Sequence, residues 1–217
     1  MYLAAAGVGR IGIVDGDTVG LSNLQRQIVH GTGTIGWPKV ESARARLADL
    51  NPDVETAVYS EPFTAENAER IASGYELVVD GTDSFAARYL INDVCLELGI
   101  PFVYGAVFRT EGQVSLFCVH DGPCYRCVFP QSPPPESVLT SGEAGVLGSV
   151  PGTIGTLQAT EAVKFILGLG TSLLGRLLVY DAVGMRFERI SLARNPDCPA
   201  CGARRAKIEP AGGEGSR

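Results

Sequence analysis

Apolar runs alternate with helical spacings along the first half of the chain. Residues 10–15 (Arg-Ile-Gly-Ile-Val-Asp) and 75–80 (Tyr-Glu-Leu-Val-Val-Asp) are short apolar runs typical of buried strands. Val40, Ala43, Leu47 and Leu50 recur at the spacing of one helical face. The pattern predicts strands at 10–15, 55–60, 75–80 and 101–108, and helices at 38–50, 65–73 and 86–98. Strands and helices alternating in this way imply right-handed βαβ crossovers, so we expect a Rossmann-like, doubly wound α/β fold with a mainly parallel sheet.

The second half of the chain follows a different pattern. A strand at 113–119 should pair back on the sheet, and strands at 177–181 and 186–192 should form an antiparallel hairpin. A helix is expected at 153–169, after a loop at 130–148 whose length is typical of a functional or mobile segment. Residues 203–217 show no hydrophobic periodicity. We therefore predict one domain over residues 1–202, followed by a disordered tail.

Four of the six cysteines form two C-x-x-C motifs, at Cys124 and Cys127 and at Cys198 and Cys201. Two thiolates at this spacing can reach one metal ion from a tight turn, and two such turns complete the closed tetrahedral shell of a structural zinc. Disulfides or redox-active motifs are the alternatives, but neither motif has the strand-to-helix context of a thioredoxin. We expect a Zn2+ clamp that ties a mid-chain loop to the C-terminal end.

Composition narrows the classes of partner. The chain has 217 residues, 45% of them hydrophobic, and a net charge of −6, which argues against a nucleic-acid surface. The apolar start has no basic segment before it, and the helix expected at 153–169 contains Glu161 and Lys164, so no membrane anchor is predicted. We expect a cytoplasmic protein, and a reducing compartment also favours zinc over disulfides.

Acidic residues follow two of the predicted strands. Asp15 and Asp17 come after the first, and Asp80 and Asp83 come after the strand at 75–80. Ligands of open parallel sheets bind at the carboxyl ends of the strands, where an acidic side chain commonly takes the ribose of a nucleotide. Carboxylates there also suit Mg2+ bound to phosphates. Turn formation is the alternative role, above all for Asp17 and Asp80.

Positive and amide groups lie close to the first acidic turn in sequence. Lys39 is in the first turn of a helix opened by Pro38, where a cation opposes the helix dipole. A bound anion would offset that cost, and a solvated charge is the alternative. Asn23, Arg26 and Gln27 offer amides and a guanidinium to phosphate oxygens. The pattern favours a nucleotide site.

These residues together resemble the ThiF/MoeB/HesA adenylyltransferases, bacterial relatives of the ubiquitin-activating enzymes. The segment from Ala5 to Ser42 looks like that family's second strand and the turn after it. The matching motifs run in order over nearly the whole chain: Asp15–Val19, Leu21–Gln27, Pro38–Val40, Asp80–Asp83, Arg109–Gln113, Glu143–Leu147 and the two cysteine motifs.

The resemblance implies an ATP site and a reaction. The C-terminal glycine carboxylate of a ubiquitin-like sulfur carrier ending in Gly-Gly would attack the α-phosphate of ATP, giving an acyl-adenylate and pyrophosphate for molybdopterin or thiamine synthesis. Arg26, Lys39 and Asp83 would carry catalysis by positioning and charge neutralisation, and the enzyme would be a homodimer. By resemblance Asp15 would hold the ribose, Asn23, Arg26 and Lys39 the phosphates and Asp83 the Mg2+, with Ser22, Gln27 and Ser84 also in the site.

Two departures from the family pattern change these expectations. The family's Gly-x-Gly-Gly-x-Gly phosphate loop and the strand before it would precede Met1, and the sequence does not contain them. Because that strand is central in the usual strand order, its loss should leave a gap in the sheet. We expect an N-terminally truncated form with impaired activity, most simply from a start codon assigned too late. A working natural form is the alternative.

The second departure is Ser141, at the crossover-loop position where many relatives have a cysteine. A serine cannot form a persulfide or a thioester, and Cys95 and Cys118 are expected to be buried and inert. Activation should therefore stop at the adenylate or pass to a separate sulfur donor. A non-catalytic ThiF-like partner is one rival interpretation, although it would be expected to lose Arg26, Lys39 or Asp83. An NAD-dependent oxidoreductase is the other, because Asp15 would suit an adenosine ribose there too.

Overall fold

The computed structural model describes residues 1–119, 122–134 and 144–202. The chain divides into two compact units, Met1–Thr64 and Ala65–Arg217. The tail predicted at 203–217 and Ser141 in the predicted loop both lie outside the described residues.

The first unit is a small α/β layer. A short helix α1 (Tyr2–Ala5) precedes strand β1 (Arg10–Val14), and helix α2 (Lys39–Leu50) leads to strand β2 (Glu55–Tyr59). The two strands pair in parallel, from Arg10 opposite Glu55 to Val14 opposite Tyr59. Parallel neighbours require a crossover, which the segment containing α2 provides. One core cluster of this unit consists of Ala4, Leu47 and Val54, with Ile11 and Ile13 packed against them.

The second unit is built on a five-stranded mixed sheet. Its elements are α3 (Ala68–Ala72), β3 (Val78–Val79), α4 (Phe85–Leu98), β4 (Phe102–Phe108), β5 (Glu111–Phe117), α5 (Tyr125–Val128), α6 (Ser149–Leu167), β6 (Arg176–Asp181) and β7 (Arg186–Ser191). The strands follow the order β3-β4-β5-β6-β7, and only β3 and β4 are parallel in this sheet.

The predicted antiparallel C-terminal strands are confirmed, but the described strands are mixed rather than mainly parallel. Two residues, Arg109 and Thr110, connect β4 to β5, and a connection that short can join only antiparallel neighbours. Arg109 has a φ of 54°, a left-handed conformation that closes this turn.

The ends of the long helices follow local sequence signals. Ser84 caps α4, since its Oγ accepts a hydrogen bond from the Ala87 backbone N–H at 3.3 Å. Gly99 ends the same helix with a φ of 70°, and Gly168 ends α6 with a φ of 63°. Helix α6 begins at Ser149 rather than Thr153, because Pro151 stands in its first turn, where a proline needs no backbone hydrogen bond.

Two strands predicted to be buried are more exposed. Most of β1 is half-buried, and β3 contains only Val78 and Val79, of which Val79 is 38% exposed. Each has one strand partner in its own described unit, so the coverage expected inside a wide parallel sheet is incomplete. Of the four residues at helical spacing in α2, Val40, Ala43 and Leu47 are buried, whereas Leu50 at the end of the helix is 40% exposed.

No helix within the described ranges is both long enough and apolar enough to cross a membrane.

Candidate functional site

Lys39 is held between two carboxylates at the end of β1. Its Nζ lies 2.8 Å from Asp17 Oδ2 and 3.3 Å from Asp15 Oδ2, and its side chain is 12% exposed. Burial lowers the pKa of Lys39, but the hydrogen bonds and charges of Asp17 and Asp15 outweigh it and leave the pKa above its ordinary value. Lys39 is therefore a cation at neutral pH.

Backbone hydrogen bonds produce this arrangement. The Lys39 N–H donates to the Asp17 carbonyl at 2.9 Å, and the Val19 N–H donates to the Trp37 carbonyl at 2.8 Å. Asp15 Oδ1 accepts from the Asp17 N–H at 2.8 Å, so this carboxylate also closes the turn after β1. The acidic turn and the start of α2 thus run side by side, and residues more than twenty positions apart meet.

Polar side chains of residues 22–27 follow the acidic turn and precede α2 in sequence. Asn23 Oδ1 accepts from the Gly20 N–H at 2.8 Å, and Arg26 Nη1 donates to the Ser22 carbonyl at 3.2 Å. The Oε1 atom of Gln27 is buried and has no hydrogen-bond partner among the described residues. The hydrogen-bonded turns over residues 20–27 place Ser22, Asn23, Arg26 and Gln27 in one short segment.

A histidine that sequence reasoning missed ties this turn to α2. His30 Nδ1 lies 2.9 Å from the Oγ of buried Ser42, and that hydroxyl donates to Thr34 Oγ1 at 2.9 Å. Burial and the charge of Lys39 lower the pKa of His30, and Asp15 opposes them. No recognisable spacing connects these residues along the chain, so the contact depends on tertiary structure.

The second unit contains the Asp80–Asp83 segment. Asp83 is exposed and makes no hydrogen bond or ion pair with any residue that the structure describes. Asp80 is buried instead, and its Oδ1 accepts from the N–H and the hydroxyl of Thr82 at 2.9 and 2.8 Å. Asp80 is therefore a turn-forming residue, and Ser84, expected in the ATP site, caps α4.

The four cysteines of the two C-x-x-C motifs converge, as predicted. Their Sγ atoms all lie within 4.8 Å of one another, with separations of 3.8, 3.7 and 3.4 Å for three of the pairs. Four sulfurs bound to zinc at about 2.3 Å stand about 3.8 Å apart. The separations therefore fit a tetrahedral zinc site. The residues that would hold the ion are Cys124, Cys127, Cys198 and Cys201.

The first cysteine motif is anchored to α4 independently of a metal. Asn92 Oδ1 accepts from the Tyr125 N–H at 2.8 Å, and Arg126 makes a bidentate pair with Asp93 at 2.8 and 2.6 Å. The Tyr125 ring packs edge-on to Phe117. Within the described residues, the second motif is held by local hydrogen bonds such as that from Arg194 Nη2 to the Cys201 carbonyl at 2.6 Å, so a bound ion would mainly hold Cys198 and Cys201.

Cys95 and Cys118 are both buried, as predicted. Burial raises the pKa of both thiols, and Cys118 points its Sγ toward Asn92 Oδ1 at 3.7 Å. A buried thiol with a raised pKa forms little thiolate, which fits the expected inert role.

Comparison with known proteins identifies the family. The family model described as the ThiF family matches residues 1–200. The chain belongs to the ThiF family. The resemblance drawn from the sequence motifs is thereby confirmed.

Relatives of high identity are named as adenylyltransferases or activating enzymes. The chain is 50% identical over 201 residues to a SAMP-activating enzyme E1 of Haloferax volcanii, covering 93% of this chain and 74% of the relative. It is 48% identical over 206 residues to a sulfur carrier protein adenylyltransferase of Thermus thermophilus, covering 93% and 76%. It spans less than half of the adenylyltransferase and sulfurtransferase MOCS3 of Sus scrofa, at 48% identity over 204 residues, 94% of this chain and 45% of the relative.

Solved structures confirm the fold class. A crystal structure of E. coli MccB with ATP superimposes with a TM-score of 0.81 at 18% identity, over 93% of this chain and 63% of that chain. A structure of PaaA gives a TM-score of 0.68 at 18% identity, over 89% and 61%. At this identity the similarity supports the Rossmann-like α/β fold and nothing further.

Proposed function

We propose that this protein uses ATP to adenylate the C-terminal glycine of a ubiquitin-like sulfur-carrier protein. The observation that carries the proposal is the presence of Arg26, Lys39 and Asp83 in a chain of the ThiF family. Relatives of this chain are named as a SAMP-activating enzyme E1 and a sulfur carrier protein adenylyltransferase. A non-catalytic member would be free to lose these residues.

The environment of Lys39 supports a role at the phosphates. An ammonium group has three protons to donate, and Asp15 and Asp17 accept two of them. The third has no acceptor among the described residues and can be donated to a phosphate oxygen, and the raised pKa keeps Lys39 positively charged. We assign Asn23 and Arg26 to the phosphates as well, and Asp15 to the ribose.

The reaction needs positioning and charge neutralisation more than proton transfer. The carrier's carboxylate is ionised at neutral pH, so its oxygen attacks the α-phosphorus without a general base. The bond from the α-phosphorus to the bridging oxygen breaks, and pyrophosphate leaves with that electron pair. Magnesium would neutralise charge on the phosphates, and Asp83 is the residue we assign to hold it, since its carboxylate is exposed and unpaired among the described residues.

Several finer assignments belong to the same proposal. We place the protein in the cytoplasm, as a homodimer that serves molybdopterin or thiamine synthesis with a separate sulfur donor. The six cysteines, all free thiols here, are compatible with a reducing compartment. The homodimer and the sulfur donor rest on the family resemblance.

The test is ATP–pyrophosphate exchange, measured with and without carriers that end in Gly-Gly. Because the chain covers 74% and 76% of two relatives, the protein is expressed from the longest reading frame that contains these 217 residues. We expect carrier-dependent exchange, and a loss of about 100-fold or more in Arg26→Ala and in Asp83→Ala, the range seen when one charge-stabilising group is removed.

Asp49→Asn is the matched control, since it removes an exposed carboxylate of α2 whose ion pair, among the residues that the structure describes, is with Arg46. It should leave exchange unchanged. Exchange that does not depend on a carrier would indicate a different acyl substrate, and full activity in Asp83→Ala would contradict the assigned metal ligand.

A further inference from the structure

We propose that Arg88 is a positioning residue that holds the turn carrying Asp83 through a buried pair with Asp80. The proposal rests on the proposed function, because it concerns the carboxylate assigned there to magnesium. Arg88 itself is not expected to touch substrate.

Arg88 is buried although it lies only four residues into α4. Its side chain is 7% exposed, and its guanidinium carbon lies 5.5 Å from the centre of the Phe85 ring and 5.6 Å from that of Tyr104. Its Nη2 donates to the Thr82 carbonyl at 2.6 Å, and its Nε lies 3.3 Å from Asp80 Oδ2. One guanidinium thus contacts both ends of the turn that immediately precedes Asp83.

The Asp80 carboxylate completes the turn from inside. Its side chain is fully buried, and its Oδ1 accepts two hydrogen bonds from Thr82. Burial raises the pKa of Asp80, and the charge of Arg88 opposes this. The ion contact is imperfect, because neither Oδ2 nor the Nε facing it forms an aligned hydrogen bond. Loss of Arg88 would therefore leave a buried carboxylate with much weaker support.

The sheet and helix α6 hold the same turn from the other side. Gln158 Nε2 donates to the Asp80 carbonyl at 2.7 Å and to the Val103 carbonyl at 3.1 Å. Gly105 leaves room for this amide, since a Cβ there would stand 2.3 Å from the Gln158 side chain. The backbone before Asp83 is thus tied to β4, α4 and α6.

Packing alone does not explain this network. Burying a charged pair costs several kcal/mol per ion before the attraction is counted, and apolar side chains of similar volume often fill such sites with no loss of stability. What the charged pair adds is a fixed geometry for the backbone leading to an exposed carboxylate. Functional groups need supports of this kind, because a misplacement of 1 Å can reduce a rate about 100-fold.

The experiment measures Mn2+ binding in the presence of a non-hydrolysable ATP analogue by electron paramagnetic resonance. The protein is the full reading frame used above, with Arg88→Lys, Arg88→Met and Asp80→Asn as variants. We expect the Mn2+ dissociation constant to rise about 10-fold or more in Arg88→Met and less in Arg88→Lys, because lysine can pair with Asp80 but cannot also reach Thr82 as a fork. Exchange should need correspondingly more Mg2+, while the KM for the carrier stays unchanged.

Asp93→Asn is the matched control. It weakens the ion pair between Asp93 of α4 and Arg126. Arg126 is far from Asp83 in sequence, and its side chain is partly exposed. This variant should lose some stability and keep wild-type Mn2+ binding. If Arg88→Met does not fold, as circular dichroism would show, Arg88→Lys and Asp80→Asn carry the test.

The outcomes separate this proposal from the proposed function. Suppose that the folded Arg88 variants bind Mn2+ like the wild type and that Asp83→Ala does not bind Mn2+. This result would overturn the positioning role of Arg88 and would not contradict the proposed adenylation. Unchanged Mn2+ binding in Asp83→Ala would overturn both the metal assignment and the role of Arg88. The expected Mn2+ pattern in a protein that shows no exchange with any carrier would support the positioning role and reject the proposed reaction.

Discussion

Lys39 has an environment that is unusual for a lysine in the first turn of a helix. A cation there opposes the helix dipole at a cost of about 0.3–1 kcal/mol. Two carboxylates offset this cost, with the Nζ at 2.8 and 3.3 Å from Asp17 and Asp15. The sequence predicted either a bound anion or a solvated charge, and the structure shows Lys39 paired with two carboxylates instead. The anion itself stays a prediction.

His30 supplies a pH test at the same scale. Its pKa is lowered, so the folded protein binds a proton on His30 less readily than the unfolded chain does. Stability associated with neutral His30 is therefore fully present above the unfolded pKa of 6.5 and is lost as the pH falls through the lower folded value. We expect the free energy of unfolding, measured with urea, to fall less between pH 7.5 and pH 5.5 in His30→Gln than in the wild type.

Asp49→Asn provides the control for this measurement, since Asp49 is an exposed residue of α2 that pairs with Arg46. It should retain the full pH dependence of the wild type. An identical slope in wild type and His30→Gln would show that burial and the charge of Lys39 do not favour the neutral imidazole.

At the scale of elements, helix α6 packs closely against the sheet at two strand glycines, Gly105 of β4 and Gly112 of β5. A Cβ at Gly105 would stand 2.3 Å from Gln158, and a Cβ at Gly112 would stand 2.3 Å from Ile154. Strand glycines of this kind mark a close approach of another element, and here they set the distance between the helix and the sheet. The helical spacing of Ile154 and Gln158 predicts a shared face but not how near that face comes.

Gly105→Ala should therefore destabilise the protein by about 2 kcal/mol or more. The added methyl group displaces Gln158, which leaves the Asp80 and Val103 carbonyls without their side-chain donor. Gly155→Ala is the control, because Gly155 lies in the same helix with nothing within 4 Å of an added Cβ. It should raise stability by up to about 1 kcal/mol through helix propensity. Urea unfolding of both variants checks the contrast, which equal effects would contradict.

At the scale of the whole chain, the cysteine cluster connects segments 74 positions apart, such as Cys124 and Cys198. The first motif is already held by Asn92 and by the pair of Arg126 with Asp93. A zinc ion would therefore act mostly on the segment around Cys198 and Cys201, whose described contacts include the hydrogen bond from Arg194 Nη2 to the Cys201 carbonyl.

We expect about one zinc per chain in the purified protein, and its loss in Cys198→Ser. A ligand present at 100 times its dissociation constant contributes about 2.7 kcal/mol, which corresponds to a fall of about 5–10 °C in Tm for a protein of this size. Elemental analysis and thermal unfolding give the two readings, and hydrogen exchange should rise first near residues 195–202.

Cys95→Ala is the control for the cluster, since Cys95 is a buried thiol of α4 outside the two motifs. It should keep its zinc while losing some stability through the small cavity. If metal-free protein has the same Tm as the zinc-bound protein, the interpretation of the zinc as a structural clamp is wrong.

Local patterns in the sequence by themselves determined the alternation of strands and helices and the identity of the four clustered cysteines. These features depend on periodicity and spacing within a few residues, which the chain states directly. An arginine at 88 on the same helical stripe as buried Asn92 and Cys95 was also a readable signal of a buried polar network.

Only the tertiary structure decided which charges meet and how deeply each strand is buried. Lys39 reaches Asp15 across 24 positions because backbone hydrogen bonds bring the start of α2 beside the turn after β1. Asp80 became a buried turn residue while Asp83 remained exposed, although both follow the same apolar run. Such outcomes depend on the path of the backbone and on the number of neighbouring strands, and neither quantity is encoded in the periodicity of a single segment.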